Sequence, residues 1–505
     1  MAQQGEMKKT LGLTGVTVNA MALIAPGAFL WLTYQVQAAQ VDLAGATTAM
    51  DMFAGLVVAL ILAFLTAVSY AKLSEIYPQA GTGSSYYFAE QAILSEDKLS
   101  IVARLSKFVV GWFSHLYYWV YPGVMVAMMA TLITYIFQQF GIDLSAFWQI
   151  VVAVLFSFMV GFIAYRGITG STISSVVINV IQIIALLVVT ILALVYRFTN
   201  PEHVEFVHPS FTSIVMPHSI ANVMFQATVA ILLLVGFESA TALTAEAKSH
   251  KHVSRGVIIS LIIQGLIMYL FEYFGANAWI NTAYTGKDAK GAVVTGIDAA
   301  AASSAPIGDM VQNLGNALLG NMGFVLMIIV AITVAIAVVG TTLACVNTGV
   351  RVTYAMSKDR EMPSFLGFLH PKHATPHMGI LAMSIASAAI GAFGVLSVVN
   401  LTAITFWSNI GTFVLYGMTN LIALVAFLRH PQRNAFTHIV VPVLGVLANV
   451  AMLVAVLYLG IAGGGDTQTA AMWSIIATGV WVVIGIAYHV FQSSKTQRKI
   501  IGVPS

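Results

Sequence analysis

The 505-residue chain predicts an all-α integral membrane protein of about twelve transmembrane helices. Three observations carry this. Hydrophobic residues make up 59% of the chain and charged residues only 8%, against about 25% charged in an ordinary soluble domain. Apolar runs of roughly 20 residues, long enough to cross the hydrocarbon core as helices, recur from end to end with short polar breaks. The basic residues between those runs collect on one side.

The hydropathy pattern places the spans at roughly 13–38, 50–72, 106–138, 147–164, 174–197, 218–246, 256–281, 319–356, 377–396, 401–428, 437–461 and 471–493. The first follows MAQQGEMKKTLGL with no small-residue cleavage site, so it is expected to stay in the mature protein. The lone cysteine, Cys345, lies inside the eighth run, which excludes a disulfide framework or a cysteine-rich metal site. With the N-terminus on the cytoplasmic face, all of the 22 Lys and Arg except Arg197, Lys287 and Lys290 fall on that face. The opposite loops hold Asp42, Asp51, Asp143, Glu202, Glu205, Asp288, Asp298, Asp309 and Asp466. This positive-inside bias and the even span count predict a cell (inner or plasma) membrane protein with both termini cytoplasmic.

Two spans carry interruptions, which lipid tolerates only where freed backbone groups line a cavity or meet protein. The first holds Ala25, Pro26, Gly27, Ala28 and Phe29, where proline removes a donor and glycine relaxes the backbone. The sixth holds Gly236, Phe237, Glu238 and Ser239 after a stretch, 219–237, with no charge. Five crossings separate the breaks, so the second unit is inverted relative to the first. Paired interruptions of this kind point to the binding site of a secondary transporter. Each break exposes N–H groups on one half-helix and carbonyls on the other. Amides near Gly27, Ala28 and Phe29 are expected to hold a carboxylate, and carbonyls before Glu238, at Val235 and Gly236, an ammonium group.

Three segments resemble the amino acid–polyamine–organocation superfamily. YAKLSEIYPQAGTGSSYYFAEQ (70–91) is similar to its cytoplasmic signature, with Glu75, Pro78, Gly81, Gly83 and Tyr86 in order. RVTYAMSKDREMPSFLGFLHPKHATPH (351–377) resembles its Arg-x-x-Tyr-Ala-Met-x-x-Asp-x-x-x-Pro segment. GFESATALTAEAKSHKHVSRG (236–256) is similar to the broken sixth span of the arginine/agmatine and putrescine/ornithine antiporters. The resemblance implies a leucine-transporter-like core of five plus five inverted helices with two extra C-terminal helices. The divisions are then a cytoplasmic N-terminus (1–12), a first repeat (13–200), a second repeat (201–430), two additional spans (431–494) and a cytoplasmic tail (495–505).

By the same resemblance, the antiporter's substrate-stacking tryptophans fall on Leu232 and Cys345, and its guanidinium-binding asparagine on Val126. Its gating tyrosine falls on Tyr118, with Tyr121 one turn on. The coupling lysine of proton-linked cationic amino acid relatives falls on Gln182. The partners for a long cationic side chain are thus replaced. The expected function is secondary active amino acid transport by alternating access, proton-linked, for a small or medium neutral amino acid; the alternative is an organic amine or polyamine carrier or exchanger. The expected partners are that small molecule, a coupling proton with sodium as the alternative, and the bilayer, with no nucleic acid, no metal and no cofactor.

Glu238 is read as the proton-handling group, since a charge at a helix centre costs about 2.5–3.5 kcal/mol; the competing role is a cap on loosened N–H groups. Glu272, in the outer half of the seventh span, is a coupling candidate or sits near the extracellular vestibule, and His115, a turn from Tyr118, is a proton-relay candidate or hydrogen-bonded structure. Thr341 and Thr342 face the first break as candidate cation ligands or as backbone-bonded threonines. The 281–315 loop shapes the outer entrance or is a tolerated hairpin. Neither His-Glu-x-x-His, nor Gly-x-Ser-x-Gly, nor a pair of intramembrane aspartates is present, and no repeated pore loop supports a channel.

Overall fold

A computed structural model describes residues 11–24, 29–78, 84–94, 101–167, 172–244, 246–288, 290–373, 375–431 and 433–496. In chain order its helices are α1 (Leu13–Ile24), α2 (Leu30–Ala38), α3 (Met52–Ile76), α4 (Ser85–Ala89), α5 (Ile101–Gln139), α6 (Ala146–Tyr165), α7 (Thr172–Thr199), α8 (Phe211–Val215) and α9 (Ile220–Ala230). They continue with α10 (His250–Leu261), α11 (Leu270–Trp279), α12 (Gly296–Ala302), α13 (Pro306–Leu318), α14 (Gly323–Lys358), α15 (His377–Gly394), α16 (Val398–Leu428), α17 (Val441–Ala462) and α18 (Gly465–Thr496). Among the described residues, eleven helical runs are long and apolar enough to cross a membrane, and Leu13–Leu23 is a shorter apolar helix. This is an all-α membrane architecture.

The first span is two pieces, α1 and α2, on either side of residues 25–28, which lie outside the described residues. The seventh span begins at His250 and passes through a widened turn, 262–269, before α11. The eighth begins at Gly323 because Gly320 and Asn321 take left-handed backbone, at φ +62° and +66°, and turn the chain there. Serines start several helices by accepting an orphan N–H: Ser219 from Asn222, Ser249 from Lys251 and Ser397 from Asn400.

Burial separates centre from rim. Of the apolar stretch of α5 and of the sixth span, Ile220–Leu243, 78% is buried, and of α16 67%, so these three form the centre of the bundle. The same measure is 28% for α6 and 22% for α18, whose exposed Leu155, Phe162, Val483 and Phe491 form a lipid-facing surface. Gly411 lets α16 close on α5: a Cβ there would lie 2.9 Å from the Tyr117 nitrogen. That approach brings the tyrosines of both helices to one place.

The 281–315 segment is more than an open loop. It forms a hairpin of β1 (Thr285–Lys287) and β2 (Val293–Thr295), then α12 and α13, and both helices pack on α2. Asp309 ties it down, accepting from Tyr135 of α5 at 2.8 Å and Tyr284 at 2.7 Å. The second half of the first span, α2, is therefore covered at the acidic end of the bundle.

Candidate functional site

The sixth span breaks where the sequence places the break. Helix α9 tightens into a 3₁₀ turn at Ile231–Leu233, and Gly236 takes φ +127°, open to glycine but strained for an L side chain. A 3₁₀ helix, Phe237–Leu243, follows. The freed groups are largely satisfied from within: the Gly236 carbonyl accepts from the Ser239 N–H at 3.0 Å and hydroxyl at 2.6 Å, and the Thr228 carbonyl from Asn409 at 2.7 Å.

Glu238 is wholly buried. Its Oε2 accepts the Gly236 N–H at 2.9 Å and the Tyr416 hydroxyl at 2.8 Å, and its Oε1 lies 3.5 Å from the Tyr118 hydroxyl. Two or three donors around one carboxylate replace much of its lost hydration. Glu238 thus caps the break and also joins the half-helix to α5 and α16. Phe237 packs beside it between Tyr70 at 6.1 Å and Tyr416 at 5.4 Å between ring centroids.

The third span supplies the opposite wall. Tyr117, Tyr118 and Tyr121 are buried, and the Tyr117 and Tyr121 hydroxyls have no partner among the described residues. Tyr121 meets the edge of Phe29, the described end of the first break, at 5.9 Å. Pro122 lies inside α5 and, lacking an N–H, leaves the Tyr118 carbonyl without its helical donor. Leu232, with Thr33, Val36, Val124, Met128, Val229, Leu401 and Thr405, lines a cavity of about 10 Å³. That volume is close to the lower limit for one water. Leu232, Val235, Gly236 and Cys345 are all buried in the core; Ala25, Pro26, Gly27 and Ala28 lie outside the described residues.

Other expected residues are placed elsewhere. Val126 packs on Gly391 of α15, away from the cavity lining. His115 bonds Thr353 of α14 at 2.9 Å and lies against Trp119. Thr341 reaches the Ala22 carbonyl of α1 at 2.8 Å as well as its own Ala337 carbonyl, whereas Thr342 bonds only its own helix, at Val338. Gln182 and Glu272 are buried with no side-chain partner among the described residues. No group of three or more His, Cys, Asp and Glu suited to a metal is found among the described residues.

Sequence reasoning missed Tyr416, the closest side-chain donor to Glu238. The signal was available: Ser408, Thr412, Tyr416 and Asn420 recur every fourth residue in an otherwise apolar span, a buried polar stripe aimed at the centre. It also missed the pairing of two half-helices, one from each broken span, where Gln37 of α2 and Gln226 of α9 bond each other at 2.9 Å, with Tyr273 donating to Gln37.

Comparison with known proteins agrees with this architecture. The family described as amino acid permease matches residues 9–483. The low-affinity putrescine importer PlaP of Escherichia coli K12 is 24% identical over 96% of this chain and 93% of its own. The branched-chain amino acid permease BcaP of Bacillus subtilis is 24% identical over 98% and 96%. A methylthioribose transporter of the same bacterium is 22% identical over 74% and 72%. The match over nearly the whole chain places this protein in the amino acid permease family, whose members named here are transporters and not enzymes.

Proposed function

We propose that the chain is a secondary active transporter that carries a small or medium neutral amino acid across the cell membrane by alternating access, linked to protons. The observation that most favours this is Glu238: a wholly buried carboxylate at a broken helix, held by neutral donors, in the same span as Leu232, which lines a small and largely apolar cavity. An apolar side chain suits Leu232, Val124 and Met128, and no cation other than the substrate's own ammonium group is needed. The substrate carboxylate goes to the amides near Gly27, Ala28 and Phe29. The two breaks, five crossings apart, belong to inverted repeats over 13–200 and 201–430, and the basic face is cytoplasmic. The branched-chain permease among the relatives supports the neutral reading.

A second reading, an organic amine or polyamine, rests on Glu238 having no cationic partner among the described residues and on the putrescine importer among the relatives. Uptake of a labelled panel of amino acids and amines into proteoliposomes, with pH and sodium gradients imposed in turn, separates them. Proton-driven accumulation of neutral amino acids is the expected result; accumulation of putrescine alone selects the second reading, and flux without accumulation rejects both. Glu238→Gln is expected to abolish the pH dependence of transport while binding is partly kept, and unchanged pH-dependent transport removes Glu238 from coupling.

A further inference from the structure

At the basic end of the bundle, far in sequence from Glu238, lies a second set of charges. Lys107 of α5 is 1% exposed and donates to Glu90 Oε2 at 2.6 Å and Asp359 Oδ2 at 2.8 Å. It lies 4.5 Å from the Tyr86 ring centroid, and the Tyr86 hydroxyl donates to the same Asp359 oxygen at 2.7 Å. These contacts join the α4 segment, α5 and the end of α14.

A third carboxylate, Glu361, is folded into the set. Arg360 takes φ +61°, and behind it the Arg360 N–H returns to the Ser357 carbonyl and the Glu361 N–H to the Met356 carbonyl at 2.8 Å. This doubly bonded, left-handed termination turns the chain back on the helix end. Glu361 is left 1% exposed, and its Oε2 has no partner among the described residues. The titratable groups around it are Tyr86 of α4, Glu90 after it, Lys107 of α5 and Asp359 on its own segment, with Tyr87 of α4 beside Asp359, Lys107 and Glu90.

One ammonium group cannot neutralise three carboxylates. Among the described residues the fully ionised set holds two more carboxylates than ammonium groups; Glu90 and Asp359 are partly exposed, so the buried excess falls on Glu361, whose unpaired oxygen a single proton neutralises. We propose that Glu361 is a proton-binding site that holds this end of the transporter shut while protonated and gives its proton to water when the end opens. In that step the carboxyl O–H breaks heterolytically, leaving Glu361 ionised and solvated, with Lys107 still able to pair Glu90 or Asp359. Burial first, then the Asp359 and Glu90 carboxylates, push the Glu361 carboxyl up to about 7 in the closed form, against the pull of Lys107 and the Tyr86 hydroxyl. A solvated glutamate returns to about 4.3. Closure therefore takes up a proton between those limits, and each unit of acidification on this face favours the closed form by about tenfold.

The inference rests on alternating access only for the opening itself, and on neither the substrate nor Glu238. Cys345, the chain's single cysteine, reports opening because it is wholly buried at the centre. Its labelling by a membrane-impermeant methanethiosulfonate reagent is measured in vesicles with the basic face outward, from pH 5 to 8, for the native chain and for Glu361→Gln. Dividing the two rates at each pH cancels the thiol's own titration. The expected ratio, native over variant, rises about tenfold per unit between pH 5 and 7 and levels off above. A flat ratio, or a Cys345 that stays unlabelled throughout in the native chain, overturns the proposal. Glu361→Met, a second neutral variant, must follow the glutamine chain, and a native-like slope in it also overturns the proposal. Because no substrate is present, a failure to transport amino acids in proteoliposomes rejects the transport reading without touching this result.

Discussion

Removing the Tyr416 hydroxyl tests whether the break is organised around Glu238. Tyr416→Phe deletes one oxygen, 2.8 Å from Glu238 Oε2, and leaves the ring contacts with Phe237 and Tyr70 in place. Both residues are wholly buried, so bulk water does not replace the lost hydroxyl. Of the two close donors to Oε2, only the Gly236 N–H remains. A hydrogen bond to a charged group contributes about 1.5–3 kcal/mol, so a transport step that needs Glu238 in this setting should slow by roughly 10- to 150-fold. The assay is the initial uptake rate at sub-saturating substrate in proteoliposomes, read as kcat/KM for the native chain, Tyr416→Phe, Glu238→Gln and the double variant. If the hydroxyl acts through the carboxylate, Tyr416→Phe in the Glu238→Gln background costs less than about threefold, a coupling near the full value. Equal losses in both backgrounds would refute the reasoning and make Tyr416 a packing residue.

Four further outcomes are expected. Gly236→Ala places a side chain at φ +127°, a strain of about 1–3 kcal/mol, and should reduce transport at least tenfold while the protein still reaches the membrane; native rates would show that the break relaxes freely. Lys107→Met strands the Glu90 and Asp359 carboxylates; breaking a buried pair costs about 3–5 kcal/mol, and the partial exposure of both partners sets the expectation at the low end, read as a lowered Tm in detergent. Because Glu361 is raised to about 7 when folded, its contribution to stability is fully present below about 4.5 and is lost as pH rises through 7, a fall of about 3 kcal/mol; Tm measured from pH 5 to 8 should decline more steeply in the native chain than in Glu361→Gln. Leu232→Ala enlarges the cavity wall and should shift preference toward bulkier neutral side chains by about 1–3 kcal/mol, seen in competition uptake; an unchanged order of substrates would take Leu232 out of the site.

What the sequence determined by itself follows from local physical chemistry. An apolar run long enough to span lipid must form a helix, since no water is there to satisfy its backbone. Spans, the all-α class and the distribution of basic residues could therefore be read directly, and so could the interruption at Gly236–Ser239, where glycine and a charge stand in an apolar run. The same reading located Tyr118, Phe237 and Leu232 near that break. It did not show which way His115 and Val126 point, because a helix that is apolar all round has little periodicity to fix its rotation. The tertiary structure turned His115 to Thr353 and Val126 to Gly391. Only packing could decide that Tyr416 meets Glu238 across 178 residues of chain, or that Lys107 meets Asp359 across 252. Those pairings depend on how closely helices approach, set at points such as Gly411 against Tyr117, and that distance is a property of two surfaces together.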